Sequence, residues 1–178
     1  MAVTVRRATL DDLDELIALR VEVAREGVWS GAELPLDEAG DRAKFTATIE
    51  DGEDAVMFVA VLDDGPIVGN IALVNPVGIA DVGMNVADGH RGEGIGAMLM
   101  EAGIEWARSV GAHKISLDLW PWNHRARALY ERFGFVEEGY RRRHWRRKDG
   151  SLWDAVTMGL GLDEEAPGHA VRQSEPPR

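Results

Sequence analysis

Apolar positions change period several times along the chain, and each change marks an element. Val3 to Ala8 alternates enough for a short strand, and Thr9 with Asp12 three positions on has the form of a capping box. Leu10, Leu13, Leu16, Ile17, Leu19 and Val23 then recur at spacings of three and four, which predicts a helix with one apolar face, stopped by Gly27. Asp11, Asp12 and Asp14 sit where the helix dipole favours anions. From Val28 to Arg42 no period is clean, and Trp29, Leu34 and Leu36 stand among Gly, Pro and acids. That stretch reads as a loop or short helix able to line a pocket. Lys44 to Glu50 predicts a further short helix before Asp51-Gly52.

The pattern then becomes extended. Ala55 to Leu62 and Ile67 to Val74 are strands joined at Asp63-Asp64-Gly65-Pro66, and Ile79 to Val86 is another after the Asn75-Pro76 break. Ile95, Met98, Leu99, Ala102, Trp106 and Val110 mark an amphipathic helix ended by Gly111. Lys114 to Leu119 is a strand, and Asn123 caps a short helix to Phe133, with Gly134 as its stop. Phe135 to Arg143 and Trp153 to Leu160 form a closing hairpin around Lys148-Asp149-Gly150-Ser151. The order predicts one α+β domain over 1–162, with a mixed, mostly antiparallel sheet flanked by helices. The acidic, Pro-containing stretch 163–178 reads as a disordered tail.

Composition narrows the function classes. At 178 residues, 45% hydrophobic and 29% charged, the chain is an ordinary globular protein. It has no run of about 20 apolar residues and no apolar leader at Met1 to Arg7, so the expected location is the cytoplasm. There is no cysteine, which removes disulfides, thiolate metal sites and covalent thioester intermediates on the protein. A net charge of −11 argues against nucleic acid or an anionic membrane as partner. The charge is uneven: residues 1 to 80 hold 16 acidic and 6 basic side chains, whereas 141–148 holds six cations in eight positions. That basic run reads as one solvated hairpin, with attraction of acidic substrates or of coenzyme phosphates as alternatives.

The chemistry lies in the strand-turn-helix run from Met84 to Gly96, where Gly92, Gly94 and Gly96 cluster. Such a turn gathers unpaired backbone N–H groups and a positive helix end around an anion, usually a phosphate. A nucleotide P-loop is excluded because no Gly-Lys-Ser or Gly-Lys-Thr follows. Gly92-x-Gly94-x-x-Ala97 with Asp118 downstream satisfies the dinucleotide fingerprint literally. About 80 residues and an antiparallel hairpin precede it, however, and too little chain remains for the other parallel strands.

Arg91-Gly92-Glu93-Gly94-Ile95-Gly96 matches the Arg/Gln-x-x-Gly-x-Gly/Ala signature of the GNAT superfamily of acyl-CoA-dependent N-acyltransferases, which the sequence resembles. The likeness continues through Trp106-Ala107, the strand Lys114 to Leu117, Asn123-x-x-Ala126-x-x-Leu129-Tyr130-x-x-Phe133-Gly134-Phe135, Glu138-Gly139-Tyr140 and Asp154 to Met158. The resemblance implies a V-shaped splay between central strands that admits acetyl-CoA, with no metal. It implies that main-chain groups of Met84, Asn85 and Val86 bond the pantetheine arm and that the amides of Arg91, Gly92, Glu93, Gly94, Ile95 and Gly96 hold the pyrophosphate, with Arg91 adding its charge to the site. Asn123 is both an N-cap and a candidate cofactor contact, and Arg125, Arg127 and Arg132 compete for the ribose phosphate. Tyr130, seven residues after Asn123 and on the same helical side, is the implied general acid for the departing thiolate; its competing reading is a core residue. The Val86 N–H is the candidate oxyanion donor. Asp81, Asn85 and Asp118 are open candidates for the base. The implied activity is direct acetyl transfer from acetyl-CoA to the amine of a small molecule or a peptide N-terminus, with a non-catalytic acyl-CoA-binding module as alternative. The acid-rich first half mildly favours a cationic amine. Dimerisation through strand edges, common in the family, implies a homodimer.

Overall fold

In the computed structural model, residues 2–63, 65–75 and 77–162 are described; the expected tail at 163–178 lies outside them. The elements are β1 (Val3–Arg7), α1 (Leu13–Glu26), α2 (Glu38–Asp51), β2 (Ala55–Leu62), β3 (Ile67–Val74), β4 (Ile79–Val86), α3 (Ile95–Ser109), β5 (Lys114–Leu119), α4 (His124–Arg132), β6 (Val136–Arg146) and β7 (Leu152–Gly161). Seven strands form one sheet in the order β1-β2-β3-β4-β5-β7-β6, antiparallel except between β4 and β5. The mixed sheet flanked by four helices agrees with the expected α+β architecture.

The continuous apolar run of β2 follows from burial on both faces. Val56 and Ala60 face a core built with Ile71, Leu73, Leu99, Met100, Ile115 and Met158, whereas Met57, Val59 and Val61 pack with Leu16, Leu19 and Val23 of α1. Gly103 lets α3 lie close on β3, because a Cβ there would stand 3.1 Å from both Ile71 and Leu73 side chains. Truncating Leu99, fully enclosed between helix and sheet, would cost about 2–5 kcal/mol.

Two boundaries differ from expectation. The second helix begins at Glu38 rather than near Lys44, because the Asp37 carboxylate caps it by accepting the Gly40 N–H at 3.0 Å. Its first turn is polar and shows no hydrophobic period; Asp41 is held inward by Arg20 at 2.7 Å. The closing hairpin is also longer, and β6 reaches Arg146. Its pairing with β7 is interrupted between Arg141 and Trp145, where Arg143 takes φ 52° and its N–H donates to Asp154 at 2.6 Å.

One feature of the sheet makes the site. β4 and β5 pair only at Ile79–Lys114, Ala80–Ile115 and Asp81–Ser116. Beyond that point the strands part, which is the expected splay, and their C-terminal ends flank a gap.

Candidate active site

The gap opens into a cleft of about 940 Å³. One end is lined by the turn from Asp88 to Ala97 and by α4; the other by Arg20, the 29–31 loop, Asp118 to Trp122 and Trp145. Ladder alternation decides which main-chain groups reach it. The Ala87 N–H donates to Val68 C=O at 2.9 Å, so Ala87, and two residues back Asn85, direct their main-chain groups to β3. Met84 and Val86 direct theirs away from β3 and into the gap. Asn85, expected to offer its main chain there, thus has it occupied by the sheet, and its side-chain amide donates to Asn70 at 3.3 Å.

The glycine turn forms a cradle of main-chain donors. Gly92 and Gly94 both have φ +87°, a region costly for any residue with a Cβ, and a Cβ at either would meet nothing within 4 Å. The N–H groups of Gly92, Glu93, Gly94, Ile95 and Gly96 have no acceptor among the described residues. Five successive free donors at the N-terminus of a 15-residue helix, beside an open cleft, fit a diphosphate.

The Arg91 side chain is employed differently from the expectation. Its Nη1 and Nη2 donate to the two carboxylate oxygens of Glu26 at 2.6 and 2.5 Å, and its Nε to Val86 C=O at 2.9 Å. Arg91 holds the Glu26 carboxyl below its usual range. The guanidinium therefore ties the end of α1 to the end of β4, leaving the cradle to main-chain groups. Glu93 projects outward beside His90, 3.3 Å away.

On α4, Asn123 acts as the N-cap, accepting the Ala126 N–H at 3.2 Å, and also lines the cleft. Arg125 and Arg132 are exposed at the cleft wall with no ion pair among the described residues, whereas Arg127 is paired to Glu137 at 2.9 Å. Tyr130 is enclosed, packs against Phe135 at 5.6 Å between ring centroids, and still borders the cleft. Its hydroxyl has no protein partner among the described residues, and burial pushes its pKa up to about 12. It is a proton donor at any physiological pH. Core packing and cleft lining, expected as rival readings, coexist in this one residue.

Of the base candidates, Asp81 is exposed outside the cleft lining and an amide such as Asn85 cannot take a proton. Asp118 lines the cleft. Its Oδ1 accepts from Arg141 at 2.8 Å and from Thr157 at 2.7 Å, which leaves Oδ2 open.

The basic run is only partly a solvated hairpin. Arg147 is buried: its guanidinium stacks 4.1 Å from the Trp153 ring centroid, approaches Glu33 at 3.4 Å and donates to Ser30 and Gly27 carbonyls. Lys148 Nζ donates to the carbonyls of Glu33 and Pro35. The hairpin end thereby straps the 27–35 loop over the acceptor side of the cleft. Glu26, Arg20, Trp145 and Arg147 were not legible as site residues, since each depends on a partner far away in sequence.

A family model described as acetyltransferase (GNAT) family matches residues 21–135. Streptothricin acetyltransferase of Streptomyces lavendulae is 36% identical over 105 residues, covering 56% of this chain and about half, 54%, of that protein. L-methionine sulfoximine/L-methionine sulfone acetyltransferase of Pseudomonas paraeruginosa is 28% identical across 92% of this chain and 96% of its own length. The crystal structure of a phosphinothricin acetyltransferase from Sinorhizobium meliloti in complex with AcCoA shares the fold, with a TM-score of 0.81 at 20% identity, covering 99% of this chain and 97% of that one. The matched segment contains both the β4–α3 turn and all of α4, so the chain belongs to the GNAT acetyltransferase family.

Proposed function

We propose that this protein is an acetyl-CoA-dependent N-acetyltransferase that moves the acetyl group directly to the primary amine of a small molecule. The observation that carries the reading is one cleft lined both by Gly92, Gly94 and Gly96 of the unpartnered donor turn and by Tyr130, whose hydroxyl stays protonated. Acetyl-CoA supplies an activated thioester. Gly92 to Gly96 bind its diphosphate, Arg125 offers a cation to the ribose phosphate, and the main chain of Met84 bonds the pantetheine arm, the Val86 carbonyl being already taken by Arg91. The Val86 N–H, turned from β3 into the gap, donates to the carbonyl oxygen as charge develops on it. Asp118 receives the proton of the incoming ammonium, directly or through water. The neutral amine then attacks the thioester carbonyl; as the C–S bond breaks Tyr130 gives its proton to the departing sulfur, and the second proton of the amine nitrogen, released as the amide forms, restores the Tyr130 hydroxyl through water. The names of the two sequence relatives support a small-molecule acceptor. A cytoplasmic setting and a homodimer through the exposed outer strand β6 belong to the same proposal.

The test is free-thiol release from acetyl-CoA across amino acids, polyamines, aminoglycosides and peptide N-termini, with coenzyme binding followed by calorimetry. Turnover with a small amine supports the proposal. Tight coenzyme binding without thiol release from any acceptor would instead identify a non-catalytic acyl-CoA-binding module.

A further inference from the structure

Tryptophan is concentrated at the acceptor end of the cleft. Trp29, Trp120, Trp122 and Trp145 all line it, and three of them are each 42% exposed despite their size. Exposed indoles gathered in a concave site are contact surface rather than scattered exposure. They are also held rigid: Trp120 and Trp122 stack at 6.1 Å and 17°, and Trp145 meets Trp120 edge-on at 5.9 Å. Behind them Trp153 contacts both Trp120 and Trp122 edge-on.

The charges around this wall cancel locally. Asp41 is paired with Arg20, Asp118 with Arg141 and Glu33 with Arg147. The Arg147 guanidinium already occupies the cation–π position on Trp153. Beside the tryptophans the cleft offers the open Oδ2 of Asp118, the other lining carboxylate, Asp88, standing next to Arg91 at the glycine turn; an aromatic face with one carboxylate oxygen beside it suits one ammonium group on a flat apolar body. It does not suit a polycation, despite the acid excess of the first 80 residues.

Resting on the acetyltransferase reading, we propose that the acceptor is an aromatic monoamine whose ring packs on the exposed indoles of Trp29, Trp122 and Trp145, backed by the buried Trp120, while its amine reaches the transfer site. Ring stacking beyond simple apolar burial corresponds to about a tenfold difference in affinity.

The experiment compares tryptamine and phenethylamine with isoamylamine and spermidine by thiol release. In parallel, calorimetry measures tryptamine binding to protein saturated with coenzyme A. The expected result is a kcat/KM at least tenfold higher for the two arylamines than for either aliphatic amine. Trp145→Ala should raise the tryptamine KM about tenfold and the isoamylamine KM by a clearly smaller factor, and Trp145→Phe should restore most of the tryptamine loss. Equal or higher kcat/KM for spermidine or isoamylamine overturns the inference while leaving the acetyltransferase reading intact. If none of these four amines releases thiol, the acetyltransferase reading is still decided by the wider acceptor screen, and the calorimetric arm decides the inference: tryptamine binding that weakens in Trp145→Ala supports the aromatic wall, and absence of binding, or binding unchanged in the variant, overturns it.

Discussion

Removing the Tyr130 hydroxyl separates its two roles. The ring sits against Phe135 in the main core and its hydroxyl has no protein hydrogen bond among the described residues, so Tyr130→Phe breaks none. Deleting a hydroxyl that faces the cleft and has no protein partner should change stability by no more than about 1 kcal/mol. Catalysis should respond far more. A general acid contributes about 10²- to 10⁴-fold, which is about 3–5 kcal/mol of activation free energy at 1.36 kcal/mol per decade. The variant should therefore lose 10²- to 10⁴-fold in kcat while acetyl-CoA affinity by calorimetry stays within about twofold. The elevated pKa, about 12, adds a second signature. A donor that stays protonated imposes no alkaline fall on wild-type kcat up to pH 10, whereas a tyrosine acting as base would make the rate climb throughout that range. Wild-type kcat in Tyr130→Phe removes the acid assignment. A loss of stability above about 2 kcal/mol by urea denaturation would show that the hydroxyl has a structural partner.

Asp12 accepts both Arg6 nitrogens, at 2.7 and 2.8 Å, and the Thr9 N–H, and chiefly the Arg6 bonds lower its pKa to about 2. A lowered folded-state pKa stabilises above about pH 4 and is lost as pH falls towards 2. With Arg6 partly screened by solvent, Asp12→Asn should cost about 1–2 kcal/mol at pH 7 and most of that difference should be gone at pH 2, read by urea melts; a constant difference across that range refutes the pairing. Gly94→Val forces a β-branched residue to φ +87°, a strain of about 1–2 kcal/mol, and should raise the coenzyme Kd at least 100-fold in a folded protein. Unchanged affinity would remove the cradle. Arg147→Lys keeps the charge but not the flat fork that stacks on Trp153 and reaches Gly27 and Ser30. It should lower stability by about 2 kcal/mol and raise the acceptor KM about tenfold with acetyl-CoA KM unchanged; an unaltered acceptor KM would show that the strap does not shape the acceptor end.

The order of elements was legible because its signals are local. Gly27, Gly111 and Gly134 stop helices where they stand, Asn123 caps α4 from one position away, and strands β2 to β5 carry their own apolar runs. The cradle was legible for the same reason, since its five donors lie in five consecutive residues. The polar first turn of α2 was not, because Asp41 is held inward by Arg20, 21 residues away. Tertiary structure alone assigned Met84 and Val86, rather than Asn85, to the gap, because that choice depends on the register of β4 against β3. It also took the Arg91 guanidinium from the cradle by bringing Glu26 to it across 65 positions, and drew Arg147 from a basic run into a stack of tryptophans. The sequence by itself determined the fold class, the glycine turn with its row of main-chain donors and a chemistry without protein thiols. Which charges are already paired, and hence what the acceptor end can hold, is set by contacts between distant segments that no local pattern encodes.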